Sequence, residues 1–142
     1  MHLDLEALET SFDLVAPRGD ELMDAFYGRL FATAPAVRPL FAHVDLKRQK
    51  TMLLGVLVLL RKSLRDLGPL VPKLRELGAR HVGYGARPEH YPVVGEVLIA
   101  SLAEIAGAAW RPEHERAWGA AFGVVAGAMI AGAEAAELEA AA

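Results

Sequence analysis

Apolar residues along this chain recur at the spacing of a helix surface and nowhere alternate at the spacing of a strand, which restricts it to an all-α fold. Two consecutive segments show the pattern most clearly. Leu46, Leu53, Val56, Leu57, Leu60, Leu64 and Leu67 form one wide stripe over a helix from Leu46 to about Asp66, and Gln49 is its only polar member. In the next helix, 70–82, Leu70, Leu74, Leu77 and His81 lie at i, i+4, i+7 and i+11, while Lys73, Arg75, Glu76 and Arg80 take the other faces. An inward row therefore ends on an imidazole. Each polar residue has a plain structural explanation: Gln49 on water at an exposed first turn, His81 as a core or cap residue served by the helix dipole. Each also has a functional one, because an amide on an oily stripe costs about a kcal/mol or more unless something bonds it.

The other elements follow from punctuation. A first helix spans Leu3 to Val15. Asp20 precedes a second, acidic in its first turn through Glu21 and Asp24, that runs to about Phe31. Pro35 and Pro39 allow only a short turn-like helix before Phe41. Gly83 and Gly85 close the 70–82 helix. Pro88 to Gly107 forms another, and Pro112 opens the last, which reaches about Glu137 from a poor N-cap, Arg111. The Ala-rich end, about 134–142, is expected to fray. With no internal repeat or linker, 1–142 reads as one domain. Such a length can bury about 70% of the surface that the unfolded chain exposes.

Several functions are excluded. Fifteen basic against 18 acidic residues, with no basic run, argue against nucleic acid. The absence of cysteine removes disulfides, thiolate metal sites and thiol nucleophiles. His43, Glu89 and His90 have no ligand spacing for a non-haem metal, His2 is terminal, and His114 is expected to be solvated in an acidic first turn. Ala117–Ala133 is uncharged, with Gly119, Gly123 and Gly127 four apart. It lacks basic flanks, and Ala and Gly dominate it, so it reads as a bundle helix whose glycines let neighbours approach rather than a membrane span. The N-terminus carries no signal-peptide pattern, which makes a cytoplasmic location the expectation. No Asn, one Gln and eight Pro suit a thermophilic source, and a GC-rich genome gives a similar look. Tyr27, with Phe26, Leu30 and Phe31 around it, needs a partner for its hydroxyl if buried.

The motifs "FYGRLF" and "VRPLF", Gln49 followed by Leu53, "LGARH" with "YG", "HYPVVGE" and "AWGAAFGVV" occur in an order and spacing that resemble a known family. From Leu5 to about Ile130 the chain resembles bacterial single-domain haemoglobins, on the branch shared with the globin domains of flavohaemoglobins. The resemblance implies a globin fold with haem b, iron protoporphyrin IX, between the E-type and F-type helices. It implies His81 as the proximal iron ligand and Tyr91 as a residue near its ring. Tyr27 and Gln49 match the distal donor pair, Leu53 its apolar wall, and Phe41 the ring packed on the porphyrin. Arg80 and Tyr84 flank His81 within reach of the haem edge or propionates. The implied function is reversible O2 binding, storage or delivery, with CO and NO as further ligands and no catalytic residue. The alternatives are NO dioxygenase and a gas sensor with a partner protein. No flavin or nicotinamide domain follows, so turnover is expected to need an external reductase. One position departs from the family: where many relatives carry a proximal glutamate in the last helix, this chain has Ala133, with Glu134 one step, about 100°, further round.

Overall fold

The computed structural model describes residues 3–141, so His2 lies outside it. Six α-helices follow in chain order: α1 (Leu5–Val15), α2 (Gly19–Thr33), α3 (Leu46–Ser63), α4 (Leu70–Gly83), α5 (His90–Ala106) and α6 (Pro112–Ala141). Short 3-10 turns cover Ala16–Arg18, Pro35–Phe41 and Gly107–Ala109. There is no strand among the described residues.

Local chemistry sets the helix starts. The Asp4 carboxylate accepts from Ala7 N–H at 3.0 Å and caps α1. Asp45 does the same for α3, accepting from Lys47 N–H at 3.1 Å. Asp20 does not precede α2. That helix opens at Gly19, and Asp20 and Glu21 occupy its first turn. Leu54 of α3 fills the space beside Gly19, 2.7 Å from where a Cβ would stand.

The starts of α5 and α6 share a device that the sequence pattern alone did not suggest. The tetrapeptide Arg-Pro-Glu-His occurs twice, at 87–90 and 111–114. In each copy the histidine turns back and its Nδ1 accepts the arginine backbone N–H, at 3.0 Å for His90 and 3.1 Å for His114. His114 is therefore not solvated. It is 7% exposed and stacks against the Trp110 ring. Its Nδ1 reaches back to the N–H of the residue before α6, as the third helical residue of a capping box does.

The main core joins α1, α2, α5 and the first half of α6, with Leu8, Phe12, Leu22, Met23, Leu30, Leu102 and Trp118 at its centre. The Trp118 indole N–H donates to Ser11 Oγ at 2.8 Å, and that hydroxyl donates to Ala7 O, whereas the buried indole N–H of Trp110 has no hydrogen-bond partner among the described residues. Arg61 of α3 pairs with Asp13 at 3.0 Å and Arg65 with Glu9 at 2.7 Å, tying α3 to α1.

A second, smaller core, Leu70, Leu74 and Met129, lies between α4 and α6. Here the two backbones touch. A Cβ on Gly78 would stand 1.9 Å from Met129 O, and one on Gly132 would stand 1.9 Å from Arg75 O. The expectation that Gly119, Gly123 and Gly127 serve close approach is thus corrected. All three are exposed, with nothing within 4 Å of a Cβ. The Ala-rich end of α6, expected to fray, continues as exposed helix to Ala141, in keeping with the helix propensity of Ala, Glu and Leu.

Candidate functional site

Consecutive helices joined by a short turn usually pack together, but α3 and α4 have their main contacts elsewhere, and it is Leu60 of α3 that reaches the Leu70, Leu74 and Met129 cluster. α3 packs on α1 and α2, whereas α4 packs on α6. An 18-residue helix with a wide apolar stripe therefore buries only Leu57 fully. Leu53, Val56 and Leu60 stay half-buried on that stripe. The residues singled out in the sequence fall on both sides of this separation.

On the α2–α3 side, Tyr27 is 3% exposed. Phe26 meets its ring edge-on at 4.9 Å, and Phe31 and Phe41 lie at 6.0 and 5.9 Å. Burial pushes the Tyr27 phenol above its ordinary value, while the Gln49 amide facing it pulls the other way. The phenol is therefore a protonated donor at neutral pH. Gln49, in the first turn of α3, is half-buried rather than open to water. Leu53, one turn on, packs against the core beside it. Phe41 closes the 3-10 turn, edge-on to Phe31 at 5.3 Å. Phe31 completes this aromatic cluster and carries the Arg38 guanidinium over its ring at 4.4 Å. Its sequence signals were its place in "FYGRLF" and its position one turn after Tyr27.

On the α4 side, His81 is half-buried in the last turn. Its Nδ1 lies 2.7 Å from Leu77 O, one turn back. A carbonyl can only accept, so Nδ1 carries a proton and Nε2 is the ring nitrogen left for a ligand. A metal-binding histidine is oriented in this way, with the ring held by a backbone group. The sequence stripe placed Leu77 as an apolar residue; its carbonyl is the part that acts here.

The chain turns sharply behind the imidazole. His81 O accepts from Tyr84 N–H and Ala86 N–H, both at 3.0 Å, which ends α4. Gly85 has φ 89°, a left-handed conformation that glycine adopts freely, and a Cβ there would meet Leu40 at 3.0 Å. Gly83 is an ordinary helical residue with open space around it, so Gly85 alone makes the exit.

The remaining three residues diverge. Tyr84 is 61% exposed, its ring 5.5 Å from the His81 ring. Arg80 is exposed and pairs with Glu76 at 2.7 Å. Tyr91 packs among Leu70, Leu74 and Met129, and burial raises its phenol above the ordinary value. Among the described residues no three His, Asp or Glu side chains converge as a metal cluster. An iron here would thus depend on one protein ligand and a prosthetic group. A single oriented imidazole on α4, a half-buried apolar face on α3 and a buried phenol on α2 are side chains of the kinds that would hold a haem.

Comparison with known proteins bears on the family and the fold. A family profile described as Globin matches residues 24–129. A flavohemoprotein of Bacillus subtilis is 29% identical over 128 residues, 89% of this chain and 32% of that protein. The chain thus spans about a third of the length of the curated relatives it matches. Among solved structures, a bacterial globin from Campylobacter jejuni superposes with a TM-score of 0.79 at 22% identity, over 92% of this chain and 94% of that one. An engineered carbene transferase, from a Rhodothermus marinus protein proposed to be a nitric oxide dioxygenase, gives 0.82 at 21%, covering 96% and 98%. Six helices and no strand among the described residues, and a profile covering most of the chain, lead to one conclusion: the chain belongs to the globin family, close to the globin domains of flavohemoproteins.

Proposed function

We propose that this protein is a reversible O2-binding globin of the cytoplasm, with His81 as the proximal ligand of a haem b and Tyr27 and Gln49 as donors to the bound gas. The observation that carries the reading is the His81 ring, pinned through Nδ1 at 2.7 Å from Leu77 O with Nε2 left free. The absence of cysteine supports b-type haem, since no thiol is present to attach the porphyrin covalently. When bound, the haem supplies the iron to which O2, CO or NO coordinates.

The chain's own residues do the rest. Leu77 O fixes the imidazole tautomer. Leu53 and Phe41 offer apolar walls that exclude water. Tyr27, protonated and buried, offers a hydrogen bond towards a ligand that draws negative charge, worth roughly 1.5–3 kcal/mol if charge-assisted. Gln49 can donate as well or hold the phenol in place. Arg80 and Tyr84 stand at the exposed edge, where propionates would emerge, and Tyr91 backs the proximal helix.

A second reading, NO dioxygenase with an external reductase, draws on the description of the Rhodothermus marinus neighbour. Exposed Glu134, with Ala133 at the family's carboxylate position, favours the carrier, because no carboxylate there makes the imidazole more anionic. The decisive experiment is absorption spectroscopy of the haem-loaded protein in ferric, ferrous, CO and O2 forms, followed by NO consumption with a generic reductase. A lasting oxy spectrum and a single stoichiometric turnover of NO support the carrier. Sustained multiple turnover moves the assignment to the dioxygenase, and no binding of added haemin overturns both.

A further inference from the structure

Positive charge is gathered on the part of the chain that carries Gln49 and His81. Residues 29–87 hold twelve Lys and Arg against Asp45, Asp66 and Glu76, whereas the rest of the chain holds three against fifteen. Ion pairs take up five of the twelve: Arg29 with Glu104, Lys50 with Asp24, Arg61 with Asp13, Arg65 with Glu9 and Arg80 with Glu76. The other seven are exposed and form no ion pair among the described residues, Lys47, Arg48 and Lys62 of α3 and Lys73 and Arg75 of α4 among them. Of the three acids, Glu76 is held by Arg80 and Asp45 is spent on capping α3.

On α3 these cations frame an apolar surface. At 100° per residue Arg48, Met52, Gly55, Leu59 and Lys62 fall within about 80° of arc, opposite the buried Leu57. All five are exposed, Met52 by 58% and Leu59 by 37%, and neither apolar side chain joins a core. The face is about 21 Å long. An apolar centre inside a charged rim is the anatomy of a protein–protein contact, in which methionine adapts its shape and the rim selects the partner.

We infer that this outer face of α3 docks an acidic electron-donor protein, one whose own contact surface has an apolar centre rimmed by Asp and Glu. The inference rests on the haem reading above. O2 binds ferrous iron, so iron that has become ferric must regain one electron from a donor. In that transfer the donor's reduced cofactor loses one electron, ferric iron becomes ferrous, and no covalent bond forms or breaks. The inner side of the same helix carries Gln49 and Leu53, so a docked donor stands about one helix diameter, roughly 10–12 Å, from the side proposed to line the haem pocket. Other occupants fit less well. A second copy of this face is itself basic. A bilayer surface rewards more bulky side chains than Met52 and Leu59 supply, and a nucleic acid wants its cations in an unbroken stripe.

The test is the rate at which the ferric haem-loaded protein is reduced, followed by absorption under CO, with two donors. One is a reduced flavodoxin, which has an acidic surface; the other is reduced riboflavin, a free flavin with no protein surface. The flavodoxin rate should fall at least tenfold between about 10 mM and about 300 mM NaCl, because salt screens the attraction. Arg48→Glu combined with Lys62→Glu should lower the low-salt flavodoxin rate about tenfold and flatten its salt dependence. The riboflavin rate should be the same in wild type and variant, with unchanged circular dichroism and ferrous CO spectrum. A flavodoxin rate indifferent to salt or to the charge reversal would overturn the inference. So would an equal loss with riboflavin, which would place the effect in the haem pocket, or flotation with phosphatidylglycerol vesicles that the charge reversal abolishes. A protein that takes up no haem would end the haem reading and this inference together; a haem spectrum with salt-independent reduction would end this inference alone.

Discussion

Gly132→Ala should unfold this protein more easily, although alanine is the better helix former. The added methyl would stand 1.9 Å from Arg75 O, about an ångström short of the 3.0 Å that real Cβ contacts respect. The obstacle is backbone on a packed helix, so no side-chain rotation relieves it, and α4 and α6 must move apart. That loosens Leu70, Leu74 and Met129, which fill the same contact. Overpacking of this kind costs about 3 kcal/mol at the upper end of its range, against a gain of about 1 kcal/mol from helix propensity. The net loss is about 2 kcal/mol, a fall in Tm of roughly 7 °C for a chain of this size. Gly127→Ala is the control: nothing lies within 4 Å of its Cβ, so it should gain about 0.5–1 kcal/mol. Urea unfolding followed by circular dichroism measures both. α4 carries His81, so Gly132→Ala should also lose haem faster to an apo-globin acceptor. Equal or higher stability for Gly132→Ala would refute the backbone contact.

Four further outcomes are expected. Tyr27→Phe should speed O2 dissociation by roughly ten- to a hundredfold, from the loss of a donor worth 1.5–3 kcal/mol, whereas Leu53→Ile should have a smaller effect; stopped-flow kinetics compare them, and equal rates for wild type and Tyr27→Phe would end the donor role. His81→Ala should lose the wild-type haem spectrum; an unchanged spectrum would move the ligand to His90 or His43. Ser11→Ala should cost about 1–3 kcal/mol in chemical unfolding, because the buried Trp118 indole loses its acceptor at 2.8 Å. Arg65 holds Glu9 below its ordinary 4.5, and Arg61 holds Asp13 below 3.8. These carboxylates therefore stabilise the fold above those values and lose that contribution as pH falls through the lowered ones; Arg61→Ala should flatten the decline of Tm measured across that acid range.

The candidate site was legible to the extent that it depends on spacing along a helix. The stripe of Leu70, Leu74, Leu77 and His81 fixed one inward row, and Gln49 stood out on α3 as the one polar member of an apolar face. Tyr27 was legible through its aromatic neighbours, two of which contact its ring. What was not legible involved backbone groups and relations between helices. The Leu77 carbonyl that orients His81 has no signature, because every residue carries one. His114 looked solvated among acidic neighbours, yet it turns back to Arg111 N–H and is buried against Trp110.

By itself the sequence determined the helices, their approximate ends and the inward rows, since hydrophobic period, caps and proline act within a few residues. The tertiary structure alone decided which glycines matter. Gly78, Gly119, Gly123, Gly127 and Gly132 all permit close approach, but permission carries no direction. The rotation of α6 on α4, set by the Leu70, Leu74 and Met129 core, spends Gly78 and Gly132 inside and leaves the other three facing outward. The same distant packing draws α3, with Gln49, to α1 and α2, and α4, with His81, to α6, partners that come from opposite ends of the chain.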